Sequence, residues 1–182
     1  MVGQVALSHP ARLDRLMLCN AATRIGTAEG WAARTALVAD EGLAAQAPTL
    51  VARWVSEGFR AAEPGRAQSL CDMLRRTPDV GDMGNCAALR DGDLRAQIDR
   101  ITAPALVVSG RHDVAATTAQ AKELATGLAT ARHVVLDAAH TSNWEVPEAF
   151  NREAVASRLE AWAGAPRARQ VPDEANAAPG AA

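Results

Sequence analysis

The sequence predicts an α/β fold in which a parallel sheet is interrupted by an inserted all-helical lid. Short apolar runs without polar alternation, typical of buried parallel strands, occur at 13–19, 105–109 and 133–136. Residues 21–98 separate the first two runs and show helical periodicity with almost no strand pattern. Because that interval is long for an ordinary crossover between parallel strands, it predicts a separate helical insertion.

Residues 1–20 predict the end of a helix, a turn and a strand. The first apolar stripe stops at His9 and Pro10, since a residue before proline avoids the helical conformation. The strand at 13–19 then ends at Asn20. No capping residue precedes the first helix, so we expect the chain to be truncated at this end.

Residues 21–98 predict four short helices, at about 27–38, 48–56, 65–75 and 83–90. Glycine and proline residues punctuate this region and mark the breaks between helices: Gly58, Pro64, Pro78, Gly81 and Gly92.

Residues 99–163 return to an α/β pattern. The strand at 105–109 ends at Gly110, a helix covers 118–129, and a second strand covers 133–136. The last helix spans 147–163 with an apolar stripe that includes Trp162, and it begins at a proline. Residues 164–182 have too little apolar content to order themselves and predict a disordered tail.

Composition excludes several classes of partner. Apolar residues make up 48% of the 182 residues and charged residues 22%, as in soluble globular domains. A formal charge of −2 predicts no nucleic-acid or anionic membrane partner, and no apolar run or leader predicts a membrane span or a signal peptide. Three widely spaced cysteines indicate reduced thiols and a cytoplasmic location, and the scattered histidines predict no metal site.

Two polar residues follow neighbouring strands of the predicted sheet. Asp113 comes after the strand at 105–109, and His140 comes after the strand at 133–136. The carboxyl ends of parallel strands meet at one edge of the sheet, where sites of open α/β folds lie. A carboxylate holds an imidazole base in one tautomer, and acid followed by base is the end of the chain order Ser…Asp…His.

The pair therefore predicts a catalytic acid at Asp113 and a base at His140. Taken singly, Asp113 reads equally well as a helix N-cap, and His140 as a loop histidine bonded to backbone. His112, although adjacent to the acid, is interpreted as structural.

Three segments carry a resemblance to a known family: 18–31, 85–95 and 136–143 resemble the corresponding segments of 3-oxoadipate enol-lactonases, which are α/β-hydrolases. The resemblance runs from Met1 to about Trp162. The Arg-Ile-Gly-Thr and Asn-Cys-Ala-Ala-Leu-Arg-Asp motifs are specific to that subfamily, whereas the Asp and His motifs are shared by α/β-hydrolases generally. It implies a partial α/β-hydrolase sheet, with 1–20 as a core remnant, 21–98 as the lid and 99–163 as the C-terminal core.

The resemblance also implies an activity, hydrolysis of the cyclic enol ester 3-oxoadipate enol-lactone to 3-oxoadipate in bacterial breakdown of catechol and protocatechuate. Asp113 takes the acid position and His140 the base position. The implied substrate is a small lactone, and a Ser–His–Asp mechanism needs water but no cofactor.

The sequence departs from the family at the nucleophile. Family members carry a Gly-x-Ser-x-Gly-Gly elbow just before a segment like 1–4, and no Gly-x-Ser-x-Gly occurs in this chain. Ser8, Ser109 and Ser142 lie on no strand–helix elbow. One oxyanion donor is the backbone N–H after that serine, so it is missing too. We therefore expect the chain alone to be inactive, and its partial sheet to leave an edge open to self-association.

The lid supplies candidates for substrate recognition. Arg24 is the favoured partner for the lactone carboxylate because guanidinium forks bind carboxylates, and Arg34 lies behind it. Trp31 and Trp54 are expected to wall the pocket, and Trp144 to shape the surroundings of His140. For the arginines the alternative is a solvated surface role, and for the tryptophans core packing. Asn143 is a further candidate, to orient the His140 loop through backbone hydrogen bonds.

Three alternatives to an enol-lactonase stay open. One is a different α/β-hydrolase, such as an esterase or a haloperoxidase-like enzyme. The second is a non-catalytic binding module that retains the acid and base by descent. In the third, a partner chain supplies the nucleophile elbow in trans.

Overall fold

The structure, a computed structural model, describes residues 2–159 and 169–170. The strands are β1 (Leu16–Cys19), β2 (Ala105–Gly110), β3 (Ala131–Leu136) and β4 (Arg169–Gln170). The helices are α1 (Val2–Ser8), α2 (Ala28–Glu41), α3 (Leu43–Trp54), α4 (Glu57–Ala62), α5 (Pro64–Arg76), α6 (Asp79–Asp91), α7 (Thr118–Gly127), α8 (Ser142–Glu145) and α9 (Pro147–Leu159). Short 3₁₀ turns lie at Pro10–Arg12 and Ile98–Arg100.

The strands form one parallel sheet in the order β1-β2-β3-β4. Leu16 pairs with Ala105, and Ala105 pairs with Ala131, so β2 lies between two neighbours and every one of its residues is buried. The lid occupies the connection between β1 and β2, and α7 occupies the connection between β2 and β3. These features confirm the predicted α/β fold with a partial parallel sheet.

Alternate residues of β2 serve two separate apolar clusters because side chains alternate across a strand. Val107 packs with residues of α7 such as Leu124 on one face of the sheet. Leu106 and Val108 pack on the other face, against the partly buried Phe150 of α9. The sheet therefore has a helix layer on each side, and its strand ends are free to carry a site.

The lid, α2–α6, has an apolar cluster of its own. Its caps explain where its helices begin: the Thr27 hydroxyl accepts from the Gly30 N–H at 3.1 Å, and Asp79 Oδ1 accepts from the Leu43 N–H at 2.9 Å. The cluster comprises Val38, Leu43, Ala47, Leu50, Val51, Val55, Ala67, Leu70, Cys71 and Leu74. An independent core of this kind confirms that the insertion is an all-helical unit.

Several predicted boundaries in the lid were wrong. The helix expected from residue 48 begins at Leu43, and Pro48 lies inside it, because Asp79 caps the start from a distant part of the chain. The helix expected from residue 83 begins at Asp79, so Gly81 lies within α6 and does not break it. Gly58 likewise lies in α4, a helix that the sequence pattern did not predict.

Differences at the other elements are smaller. β1 begins at Leu16 and not at residue 13, because the 3₁₀ turn at Pro10–Arg12 delays its entry into the sheet. Val155, an apolar residue of the last helix, is 57% exposed. Trp162 and most of the predicted 164–182 tail lie outside the described residues, and the two described residues of that tail form β4, which pairs with β3. Within the described part of the chain, no helix has both the length and the apolar character that crossing a membrane requires.

Candidate active site

Asp113 and His140 meet at the carboxyl ends of β2 and β3. His140 Nδ1 lies 2.9 Å from Asp113 Oδ2. The Asp113 side chain is fully buried, whereas 25% of the His140 side chain is exposed, and His140 lines a cavity between lid and sheet that is described below. The imidazole thus has a carboxylate behind it and open space in front of it.

This contact selects one tautomer of His140. An ionised carboxylate only accepts hydrogen bonds, so Nδ1 carries the proton that it donates to Asp113. Nε2 is then the basic nitrogen, and no hydrogen bond among residues 2–159 occupies it. A histidine held in this way by a carboxylate can act as a general base.

Local hydrogen bonds keep the Asp113 carboxylate ionised. Burial raises its pKa, but His140 and the backbone N–H groups of Ala116 and Ala115 lower it by more, so the net pKa lies below the ordinary value. Those N–H groups donate to Oδ1 at 2.9 and 2.7 Å. One oxygen is therefore held by the backbone and the other remains for the imidazole.

Asn20, at the end of β1, joins the acid to the base loop. Its Nδ2 donates to Asp113 Oδ2 at 3.1 Å and to the Ala139 carbonyl at 3.0 Å, and its Oδ1 accepts from the Ser142 hydroxyl at 2.6 Å. Asn20 has φ +48°, a left-handed conformation that asparagine tolerates better than most residues. The sequence predicted Asn20 only as the end of a strand. Its position at the end of a parallel strand was the one available signal for a role in the site.

The His140 loop is also bonded to the lid. Glu145 accepts from the Ser56 N–H at 3.1 Å, from the Ser56 hydroxyl at 2.6 Å and from the Ala139 N–H at 2.6 Å. Thr141 donates to the Trp54 carbonyl through its N–H and its hydroxyl. Asn143, predicted to orient this loop, is exposed and makes none of these bonds.

Gly110 allows the two strand-end loops to approach each other. A Cβ at this position would lie 2.2 Å from the Ala139 carbonyl oxygen and 2.4 Å from that of Ala138. The loops are held at this separation by the His112 N–H, which donates to Ala138 at 2.9 Å. Only glycine permits this spacing between the Asp113 loop and the His140 loop.

A cavity of about 550 Å³ lies between the lid and the sheet. Its wall brings together five residues that the sequence predicted for the site, namely Arg24, Trp31, Arg34, Trp54 and His140. A second cavity of about 470 Å³ shares Trp31, Arg34, Trp54 and His140 with the first and adds Arg53 and Gln120. The base therefore opens onto a space walled by indole rings and guanidinium groups.

Both predicted carboxylate-binding arginines already have an aspartate partner. Arg34 Nη2 lies 2.7 Å from Asp82 Oδ1, and Arg24 Nη1 lies 3.2 Å from Asp93 Oδ2. The Arg34 guanidinium also lies 5.9 Å from the Trp31 ring centroid. Their charges are thus largely balanced within the protein.

Trp144 does not join the other predicted site residues. It lines neither cavity and packs against the lid cluster, with its ring 5.4 Å from the Arg66 guanidinium carbon. Arg66 also stacks on Phe59 and donates to the Trp144 carbonyl. Trp144, expected to shape the surroundings of His140 in the pocket, instead packs its ring against the lid cluster and Arg66.

No serine of the chain is placed to act with His140, and all the serines lie within residues 2–159. Ser109 Oγ is 2.9 Å from His133 Nε2, both groups being buried within the sheet. Ser142 bonds Asn20, and Ser8 is exposed at the end of α1. Within the same residues, no cluster of acidic, histidine or cysteine side chains is arranged to hold a metal ion.

The chain is similar to known proteins in both sequence and structure. No protein-family model matches the chain. The curated 3-oxoadipate enol-lactonase 2 of Acinetobacter baylyi is 36% identical over 162 residues, which cover 87% of this chain and 61% of the relative. The 3-oxoadipate enol-lactonase 1 of that organism is 32% identical over 146 residues, covering 80% and 55% of the two chains.

Solved structures agree. The enol-lactonase from Burkholderia xenovorans superposes with a TM-score of 0.84 at 40% identity, covering 87% of this chain and 61% of that one. A hydrolase from Pseudomonas aeruginosa gives 0.82 at 35% identity, covering 88% and 60%. The chain is a relative of the 3-oxoadipate enol-lactonases.

This relationship confirms the resemblance to enol-lactonases that the sequence predicted. An esterase from Thermogutta terrifontis, at 22% identity and a TM-score of 0.77, shares the fold alone. The chain spans 61% and 55% of the lengths of the two curated enol-lactonases. The α/β-hydrolase sheet is accordingly partial. The Arg-Ile-Gly-Thr and Asn-Cys-Ala-Ala motifs both contribute residues to the larger cavity, among them Ile25, Asn85 and Cys86.

Proposed function

We propose that this chain supplies the acid, the base and the lid of a hydrolase that opens 3-oxoadipate enol-lactone to 3-oxoadipate. The observation that carries the proposal is the Asp113–His140 contact of 2.9 Å beside a lid cavity walled by Trp31 and Trp54. Ester hydrolysis needs such a base, and the similarity to enol-lactonases selects the cyclic enol ester among possible esters.

In the proposed reaction, a serine hydroxyl that this chain does not contain attacks the lactone carbonyl while His140 Nε2 accepts its proton. Asp113 stabilises the imidazolium that forms. The ring C–O bond then breaks, and the enol oxygen takes the proton from His140, after which the enol rearranges to the ketone. Water, activated by the same base, releases the acyl group and regenerates the serine.

The isolated chain is proposed to be inactive. It contains no Gly-x-Ser-x-Gly, and the backbone N–H that follows such a serine is one of the two oxyanion donors. Loss of a donor alone costs about 3–4 kcal/mol of transition-state stabilisation. We further propose that the reaction belongs to cytoplasmic breakdown of catechol and protocatechuate.

Turnover of the enol-lactone, followed by ultraviolet absorbance, tests this proposal. The 182-residue chain is compared with a chain extended upstream in frame to include a Gly-x-Ser-x-Gly-Gly segment. We expect hydrolysis only by the extended form, and its loss in Asp113→Asn and His140→Gln variants of that form. Equal turnover by both chains contradicts the role given to the missing serine.

A non-catalytic binding role is the second candidate for the chain on its own. It is favoured by one observation, that no serine within residues 2–159 contacts His140. Absence of turnover by the extended chain on the enol-lactone and on simple esters, with retained binding of the lactone, supports this candidate. Turnover of simple esters alone supports a different α/β-hydrolase, and recovery of a serine-bearing partner in a pull-down supports an elbow supplied in trans.

A further inference from the structure

We propose that Arg53 binds the free carboxylate of the substrate, an inference that rests on the function proposed above. The enol-lactone carries one carboxylate outside its ring, and guanidinium groups are the natural partners of carboxylates. Arg53 lines the second cavity together with His140, Trp31 and Trp54. Neither the sequence motifs nor the similarity to other proteins singled this residue out.

The two other candidate arginines, Arg24 and Arg34, are already paired with aspartates. Arg34 forms an ion pair with Asp82, whose side chain is only 12% exposed, and Arg24 forms one with Asp93. Asp93 is also held by Arg95 at 2.6 Å. If Arg34 turned to a ligand, a mostly buried carboxylate would lose its partner, which is costly.

The cavity that Arg53 shares with His140 has a wall that suits an anion. Its wall contains the guanidinium groups of Arg34 and Arg53, the amide of Gln120 and no acidic side chain. Arg53 lies in the last turn of α3 and is exposed, and within residues 2–159 no ion pair or hydrogen bond occupies its guanidinium group. Because Asp82 balances Arg34, the unbalanced charge of this wall is the positive charge of Arg53, as an anionic ligand requires.

Backbone contacts fix the position of Arg53 relative to His140. The next residue along the chain, Trp54, accepts hydrogen bonds through its carbonyl from the Thr141 N–H at 2.9 Å and the Thr141 hydroxyl at 3.0 Å. Thr141 itself follows His140 directly. The end of α3 is thus tied to the base loop, so a small substrate held at Arg53 keeps its ester group beside the imidazole.

Equilibrium binding to the 182-residue chain, measured by NMR titration, tests the inference. The probes are adipate, a stable dicarboxylate of matching length, and α-angelica lactone, which has the enol-lactone ring without the carboxylate. We expect Arg53→Gln to weaken adipate binding about tenfold, the value of one charge-assisted hydrogen bond, and to leave α-angelica lactone unchanged. Arg53→Lys retains the charge and is expected to give an intermediate loss.

Arg75→Gln is the matched control, because Arg75 lies on an exposed face of α5 with Asp72 as its partner and lines neither cavity. Unchanged adipate binding in Arg53→Gln overturns the inference, as does a larger loss in Arg24→Gln or Arg34→Gln. A wild-type chain that binds no adipate also overturns it. None of these results touches the turnover assay above, which decides the proposed function separately.

Discussion

Asn20 shows how one amide sets the geometry of the acid–base pair. Its side chain bonds the Asp113 carboxylate, the Ala139 carbonyl and the Ser142 hydroxyl at once. These groups come from two separate stretches of the chain, the Asp113 loop and the His140 loop, and Asn20 itself is 8% exposed. Buried hydrogen bonds of this kind are costly to lose because each abandoned group stays desolvated.

Replacing Asn20 is therefore expected to lower stability by two separable amounts. Asn20→Gly removes the three hydrogen bonds but tolerates φ +48°, and we expect a loss of about 2–3 kcal/mol in the free energy of unfolding. Asn20→Ala adds the backbone cost of the left-handed conformation, about 1 kcal/mol. Urea denaturation measures both, and a glycine variant as stable as the wild type contradicts the role given to the amide.

At the scale of elements, β2 and β3 share a buried polar contact apart from the candidate site. Ser109 Oγ lies 2.9 Å from His133 Nε2, and Ser109 is fully buried. Burial, with a smaller contribution from Lys122, lowers the pKa of His133 below its ordinary value of 6.5. The folded chain therefore holds this imidazole in its neutral form.

The lowered pKa of His133 predicts that the free energy of unfolding depends on pH. The unfolded chain takes up a proton on His133 near pH 6.5 while the folded chain resists it, so its stabilising contribution is complete above that pH. The contribution is lost as the pH falls from 6.5 toward the lower folded pKa, with a slope of at most about 1.4 kcal/mol per pH unit.

Urea unfolding at a series of pH values between 7 and 5 measures this slope. We expect His133→Gln to reduce the slope of unfolding free energy against pH by up to the value for one proton, about 1.4 kcal/mol per pH unit. His112→Gln is the control, because His112 is exposed and bonds Asp137 at 2.8 Å on the surface. Identical slopes for wild type and His133→Gln would refute the assignment.

The lid and the sheet meet through bonds that cross between distant parts of the sequence. Glu145 binds Ser56 of the lid and Ala139 of the base loop, and Thr141 binds Trp54. The lid is thereby fixed relative to His140. This explains how side chains of separate elements, such as Trp31 and Trp54, line one cavity with the base.

For the molecule as a whole, the open edge of the sheet is the main consequence of its partial form. Within the described residues, β1 pairs with β2 on one side and with no strand on the other. Its residues Met17 and Cys19 are only partly buried, at the border of the cluster that faces α9. Unpaired edge strands favour pairing with another chain.

We therefore predict concentration-dependent self-association of the 182-residue chain, measured by sedimentation velocity. Met17→Lys places a charge on the edge strand and is expected to shift the distribution toward monomer, because charged residues block edge pairing. Val80→Lys, on an exposed site of α6, is expected to leave it unchanged. A wild-type chain that remains monomeric at all concentrations contradicts the prediction.

The predictable part of the fold consists of features encoded by neighbouring residues. The strand at Ala105–Gly110 and the helix at Thr118–Gly127 follow from a continuous apolar run and from helical spacing. The start of α3 at Leu43 did not follow, because the cap comes from Asp79, far along the chain. Local patterns contain no signal for such a cap.

The candidate site likewise has residues that the sequence predicted and residues that it did not. Asp113 and His140 were predicted because each follows a strand and the ends of parallel strands converge. Asn20 occupies an equivalent position but was not predicted, since an amide after a strand is also the ordinary end of that strand. The aspartate partners of Arg24 and Arg34 also went unpredicted, because neither lies near its arginine in sequence.

The sequence by itself determined the strands β1, β2 and β3, the helical insertion, the order of Asp113 and His140 after neighbouring strands and the absence of a Gly-x-Ser-x-Gly motif, since each is a local pattern or a spacing. Only the tertiary structure decided that Arg24 and Arg34 pair with aspartates, that the Asn20 amide holds the Asp113 carboxylate and where Trp144 packs. These depend on contacts between residues distant in the chain. Such contacts form only when burial brings the elements together. The periodicity of the sequence shows which residues are buried but not which residues they contact.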